Sequence, residues 1–178
     1  MIDTVRLRLR RPRRGDVDAV FAYRSRAEVA RHLRAGPWSR EKTERELTRY
    51  ATAAFGTFGD ELVLLAETRD GGAVVGEVGL RWPDATGAAE VGYVFNPEFG
   101  GQGFATEAVR GVVSAAFERW AVAQVIAITD AANRDSRRLC ERIGMHLAAT
   151  SVSTDGRRVD ECTYVLSRDR YDEAQRSR

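Results

Sequence analysis

Gly100, Gly101 and Gly103 stand between a stretch that stops at Pro97 and a run, from Ala105 onward, whose apolar residues recur at helical spacing. Glycines between a strand end and a helix start let successive backbone N–H groups converge without interference from Cβ, and the helix dipole adds positive potential there. The chemistry open to such a loop is phosphate binding. A Walker nucleotide site is excluded, because neither Gly-Lys-Ser nor Gly-Lys-Thr occurs in the chain. A Rossmann site requires G-x-G-x-x-G, whereas Gly101 and Gly103 are followed by Thr106, and the preceding strand belongs to a meander. Spacing alone leaves a second reading open, a tight strand-to-helix turn that binds nothing.

Other reactive side chains are scattered. Glu77 and Glu90 lie in strand-like segments, where carboxylates serve as general bases or simply face solvent. Cys140 is a thiol in a helical pattern, a position where small buried cysteines are common. His32 and His146 are isolated, with no visible triad partner and no metal-ligand spacing, so both read as structural and no metal site is expected. Six arginines between Arg6 and Arg14 suggest a solvated strand face more than a nucleic-acid site, because no aromatic residue interleaves them.

The elements that must position these residues follow from periodicity. Arg6 to Arg10 alternates Arg with Leu as a half-buried strand does, and Pro12 blocks its continuation. Val17, Val20, Phe21 and Arg24 share a helical face, and Ser39 N-caps a second helix that reaches Tyr50. Glu61 to Thr68 and Val74 to Trp82 flank Asp70-Gly71-Gly72 and pair as a hairpin, with Ala89 to Pro97 the third strand of the meander. Ala105, Val109, Val112, Val113, Ala116, Phe117 and Trp120 mark an amphipathic helix. Gln124 to Thr129 is a short apolar strand, and Ser136 to Ile143 a helix closed by Gly144. Met145 to Ser153 and Arg158 to Leu166 form a last hairpin around Thr154-Asp155-Gly156. The expected fold is a single α+β domain over residues 1–170 with a mixed, mostly antiparallel sheet, followed by a polar tail, 171–178, that frays.

At 178 residues and 43% hydrophobic content, one domain with a real core is expected. The 28 basic and 26 acidic residues leave a net charge of +2, too little to attract polyanions, so no nucleic-acid partner is expected. Lys42 is the only lysine, which fits the coding bias of a GC-rich genome better than selection for phosphate forks. Two cysteines and no signal-like apolar run near Met1 fit a reduced, cytoplasmic setting, and no stretch approaches a membrane span. Monomer and homodimer are both compatible.

Taken together, Arg6-Leu7-Arg8-Leu9-Arg10 with Asp16, Glu90-Val91-Gly92-Tyr93, Gly101-Gln102-Gly103-Phe104-Ala105-Thr106-Glu107-Ala108, and Asn133, Ser136, Glu141, Gly144 and Met145 resemble the GNAT superfamily of N-acetyltransferases. Within it they are most similar to the RimJ/RimL-like branch, whose members acetylate the N-terminal amines of ribosomal proteins and other amines. The resemblance implies helices flanking a mixed sheet whose central strand pair splays. It implies transfer of acetyl from acetyl-CoA to a primary amine by direct attack in a ternary complex. A coenzyme A-binding protein without transfer activity is the alternative.

In such enzymes the glycine loop cradles the coenzyme pyrophosphate, here Gly100, Gly101, Gln102, Gly103, Phe104, Ala105 and Thr106. Pantetheine enters the splay, where Val94 and Phe95 offer backbone groups, one N–H facing the thioester oxygen. Asn133 meets the pantetheine. Arg137 or Arg138 reaches the adenosine phosphates, or is a solvated helix charge. Acetyl transfer also needs a neutral amine and a proton for the departing thiolate. Glu90 is the leading base by its position in the family pattern, ahead of Glu77, and Tyr164 is a further inward candidate. Many relatives carry a tyrosine as acid where this chain has Cys140, which leaves Cys140, Ser136 or water for that role. Gly100 also departs from the Gln, Arg or bulky residue usual at its position. The acceptor is expected between Leu33 to Ser39 and Ser153 to Asp160.

Overall fold

The computed structural model describes residues 1–82, 87–120, 122–153 and 159–176. Eight strands form one sheet: β1 (Ile2–Asp3), β2 (Leu7–Arg10), β3 (Glu61–Thr68), β4 (Val74–Arg81), β5 (Ala88–Phe95), β6 (Gln124–Asp130), β7 (His146–Val152) and β8 (Asp160–Ser167). Their order across the sheet is β1-β2-β3-β4-β5-β6-β8-β7, antiparallel throughout except for the β5–β6 pair. This is the expected α+β architecture. The helices are α1 (Val17–Arg24), α2 (Ala27–Ala30), α3 (Arg40–Thr52), α4 (Phe104–Trp120), α5 (Arg134–Arg142) and α6 (Arg168–Arg176). None of the described helices is long and apolar enough to cross a membrane.

Two apolar layers sandwich the sheet. On one face, Val109, Val112, Val113, Ala116 and Phe117 of α4 bury against Leu64, Val78, Leu80 and Val91, the periodicity read from the sequence. On the other, Val20, Tyr23, Leu47 and Tyr50 of α1 and α3 cover Val63, Leu65 and Val74. Ser39 caps α3, its side chain accepting from the Lys42 N–H at 3.2 Å.

Two expectations need correction. The arginine face of β2 is not uniformly solvated: Arg10 is buried and forms paired bonds to Asp16 at 2.8 Å, with Glu67 on its other side, because the α1–α3 layer closes over that end of the strand. Burial opposes charge on Asp16, but the Arg10 guanidinium and the Arg13 N–H prevail and hold its carboxyl below the usual range. The polar segment after Tyr171 does not fray as far as Arg176. It is the end of α6, docked by the buried Tyr171, whose ring stacks on Phe117 at 4.7 Å and whose hydroxyl donates to Glu118 at 2.6 Å. One buried aromatic in a charged helix left too weak a periodic signal to predict this. The turn expected at Thr154-Asp155-Gly156 lies outside the described residues.

Candidate active site

The parallel β5–β6 ladder is short. Ala88, Ala89 and Glu90 pair with Gln124, Val125 and Ile126, and from Val91 onward the two strands share no register. β5 remains bonded to β4 as far as Phe95, and β6 to β8 as far as Asp130, so the sheet holds a wedge-shaped gap at its centre. The Asn96 N–H donates to the Val75 carbonyl at 2.9 Å, which fixes the antiparallel alternation along β5. Even-numbered residues, Val94 included, therefore spend their N–H groups on β4. The N–H groups of Tyr93 and Phe95 face the gap. Of the two candidates for a backbone donor to a bound carbonyl, Phe95 is placed for it and Val94 is not; the Val94 side chain packs against the α1–α3 layer.

The gap opens into a cleft of about 1510 Å³ that runs past the glycine loop. Asn96 starts a 3₁₀ turn by accepting from the Glu98 N–H at 3.1 Å, and Pro97 ends donation to the ladder. Gly101 and Gly103 then adopt φ of +74° and +80°, a region that side chains disfavour. Among the described residues, the Glu107 N–H takes the Gly103 carbonyl at 3.0 Å, while no backbone acceptor takes those of Gln102, Gly103, Phe104, Ala105 or Thr106. Five free donors at the start of a 17-residue helix make a cradle for an anion. Gly100 has another use than the loop conformation: a Cβ there would stand 2.9 Å from the Pro97 carbonyl oxygen, so the 3₁₀ turn leaves no room for a side chain at this position.

A clamp from the sheet edge holds this loop in shape. Glu107 accepts from Thr4 Oγ1 at 2.6 Å, from the Arg6 N–H at 2.7 Å and from Arg6 Nε at 2.7 Å. Arg6 Nη1 also donates to the Gln102 carbonyl at 2.9 Å, and its guanidinium lies over the Phe104 ring at 4.6 Å. Partial burial pushes the Glu107 carboxyl up, and these donors more than offset it, so its pKa is net lowered. Arg6 lines the cleft, a role that the alternating strand pattern did not signal.

Of the residues expected at the site, Val94, Phe95, Gly100, Gly101, Gly103, Phe104, Ala105, Thr106, Asn133 and Ser136 line this one cleft. Asn133 caps α5, its Oδ1 accepting from the Ser136 N–H at 3.1 Å. Other expected residues stand elsewhere. Gln102 turns its carbonyl to Arg6 and is absent from the wall. Arg137 donates to the Tyr164 hydroxyl and the Ala131 carbonyl, each at 3.2 Å, which turns it toward β8 and away from the cleft. Tyr164 is buried there and donates to Glu141 at 3.1 Å. Glu90 sits where β5 and β6 are still paired and accepts from Arg81 Nη1 at 3.3 Å, so the closed end of the wedge holds it away from the gap. Glu77 is also consumed, buried against the Tyr23 hydroxyl at 2.9 Å and Arg24 Nε at 3.0 Å.

Cys140 is buried, and burial pushes its thiol up. The hydroxyl that approaches it comes from β5 instead of α5: Tyr93 Oη is 2.8 Å from Ser136 Oγ, donates to the Ser136 carbonyl at 3.2 Å and is 3.6 Å from Cys140 Sγ. Burial raises the Tyr93 phenol far above its ordinary range, so it is a neutral hydroxyl at any working pH. Small side chains at Ser136 and Cys140 leave the room that this ring fills. The signal for it was present in the odd-numbered register of Gly92-Tyr93-Val94-Phe95, which puts Tyr93 on the α5 side of the strand.

No described group of three or more His, Cys, Asp or Glu residues is arranged to hold a metal ion. His32, however, has a partner: its Nδ1 lies 2.9 Å from Asp130 Oδ2, at the open end of the gap.

The chain matches the acetyltransferase (GNAT) domain family over residues 6–146. It is 26% identical over 144 residues to YnaD of Bacillus subtilis (strain 168), an uncharacterized N-acetyltransferase, covering 81% of each chain. Its fold is similar to that of a GNAT-family acetyltransferase from Bacillus anthracis, with a TM-score of 0.85, 23% identity, and 94% and 98% of the two chains covered. It is also similar to spermidine N-acetyltransferase from Vibrio cholerae, solved with CoA and spermine, with a TM-score of 0.79, 18% identity and coverage of 94% and 99%.

Proposed function

We propose that this chain, which belongs to the acetyltransferase (GNAT) domain family, transfers the acetyl group of acetyl-CoA to a primary amine by direct attack in a ternary complex. The observation that carries this reading is the continuity of two features in one cleft: a loop of unpaired N–H groups from Gln102 to Thr106, and a sheet gap into which Phe95 turns its N–H. A pyrophosphate fits the first and an extended pantetheine arm the second.

In this reading the loop amides bind the pyrophosphate and the Phe95 N–H receives the thioester oxygen as it gains charge. Ser136 Oγ delivers a proton to the departing thiolate, and the Tyr93 hydroxyl at 2.8 Å holds it in place. Cys140 supports the Tyr93 ring and takes no part as acid. A coenzyme-binding protein without transfer activity is the weaker alternative: Cys140 and Gly100, where relatives carry other side chains, speak for it, and the hydroxyls of Tyr93 and Ser136 beside Cys140 speak against it.

The RimJ/RimL-like motif set supports protein N-terminal amines as acceptors, and the likeness to an enzyme solved with spermine supports polyamines. Thiol release from acetyl-CoA, followed across N-terminal peptides of ribosomal proteins, polyamines, aminoglycosides and amino acids, tests the proposal. Turnover with at least one amine, with intersecting initial-rate plots, is the expected result. A protein that binds acetyl-CoA and releases no thiol with any of them would favour the non-catalytic reading.

A further inference from the structure

Once Glu90 and Glu77 are placed, the cleft lacks the base that sequence patterns suggested. Its remaining carboxylates are poorly suited. Glu107 is saturated by Thr4 and Arg6, Glu28 is exposed and paired with Arg26 at 3.3 Å, and Asp135 is an exposed residue in the first turn of α5. The wall also contains His32, in the turn that follows α2.

His32 is half-buried, and its ring is held from behind by the last residue of β6. Asp130 Oδ2 lies 2.9 Å from His32 Nδ1, and Asp130 Oδ1 is itself fixed by the Ala132 N–H at 2.8 Å. An ionised carboxylate can only accept, so Nδ1 carries the proton of the neutral ring and Nε2 carries the lone pair. Nε2 has no partner among the described residues. A carboxylate-oriented imidazole with an open nitrogen in a substrate cleft is the arrangement a general base requires.

We infer that His32, oriented by Asp130, is the base that accepts the proton of the acceptor ammonium; the inference rests on the acetyl-transfer reading above. His32 Nε2 takes one proton from R–NH3⁺, which frees the nitrogen lone pair and leaves an imidazolium stabilised by Asp130. The amine nitrogen then bonds to the thioester carbonyl carbon. As the C–S bond breaks, the second nitrogen proton is lost and the thiolate takes one up through Ser136. The imidazolium returns its proton to solvent, so one proton is released per amide formed.

The test uses the intact chain and the best acceptor from the thiol-release panel. His32→Gln is expected to lower kcat/KM by about 100-fold, with acetyl-CoA Kd and the melting temperature held. His32→Ala is expected to lose the same activity and to regain part of it with added imidazole, a response that a purely structural histidine would not give. Asp130→Asn, as a positioning change, is expected to fall between wild type and His32→Gln. His146→Gln, beside Arg170 on β7, is the control and is expected to turn over as wild type. An active His32→Gln variant, or a folded His32→Ala variant that imidazole does not restore, would overturn the base assignment while leaving acetyl transfer intact. A wild-type protein without turnover on any amine would instead remove the transfer reading itself.

Discussion

The two ends of the cleft are built from different parts of the polypeptide. At the glycine-loop end the cleft is faced by unpaired backbone amides, and side chains such as Glu107 and Arg6 hold the loop. At the other end the groups proposed to act are side chains, His32, Asp130, Ser136 and Tyr93, delivered by the turn after α2, two strands and α5. A backbone site tolerates almost any neighbouring side chain but no change of φ. A side-chain site tolerates backbone variation but no loss of one atom. Substitutions at the two ends should therefore separate into effects on binding and effects on turnover.

The largest separation is expected from Ser136→Ala, which removes the hydroxyl beside Tyr93 and should lower kcat by about 100-fold while acetyl-CoA Kd, read by calorimetry, stays put. Tyr93→Phe keeps the ring and the Ser136 hydroxyl and removes the phenol that contacts Ser136 and Cys140, so a smaller fall, about 5-fold, is expected. A change in Kd equal to the change in kcat would break the division. Next comes Gly103→Val. At φ of +80° a β-branched residue adds about 2 kcal/mol of strain or forces the loop to move. That corresponds to about 30-fold in Kd, with kcat at saturation nearly unchanged; normal affinity would mean that the free amides are not the binding groups.

A smaller effect concerns the clamp. Glu107 has a lowered pKa in the fold, so the stability it contributes is present above the ordinary glutamate value and is lost as pH falls through the folded value. Urea midpoints measured from about pH 6 down to about pH 3 should fall for wild type. Glu107→Gln should start less stable and show a shallower slope; parallel curves would remove the clamp from the stability of the loop. The smallest effect is expected for Glu90→Gln, whose carboxylate pairs with Arg81 outside the gap: kcat/KM within about twofold of wild type. A large loss there would return Glu90 to the mechanism and count against the division drawn above.

Much of the backbone half was legible in the chain. The alternation in β2, the hairpin glycines between β3 and β4, the stop at Pro97 and the periodic apolar face of α4 are local signals, each set within a few residues. Their order places a glycine loop between a central strand and a long helix. The side-chain half was less legible. Glu90 was chosen by its place in a motif, yet where β5 parts from β6 decides which of its residues face the gap, and Glu90 falls before that point. His32 looked solitary because its partner is 98 positions away.

The order of elements, the sheet class and the place of the glycine loop follow from local signals, because periodicity, proline and glycine act on neighbouring residues. Which polar side chains meet depends instead on how the elements dock. Arg10 with Asp16 and Glu67, Arg6 with Glu107, Tyr93 with Ser136, and His32 with Asp130 are all set by strand register and helix docking, and residues distant in the chain become partners only when the sheet brings them within a hydrogen bond of each other.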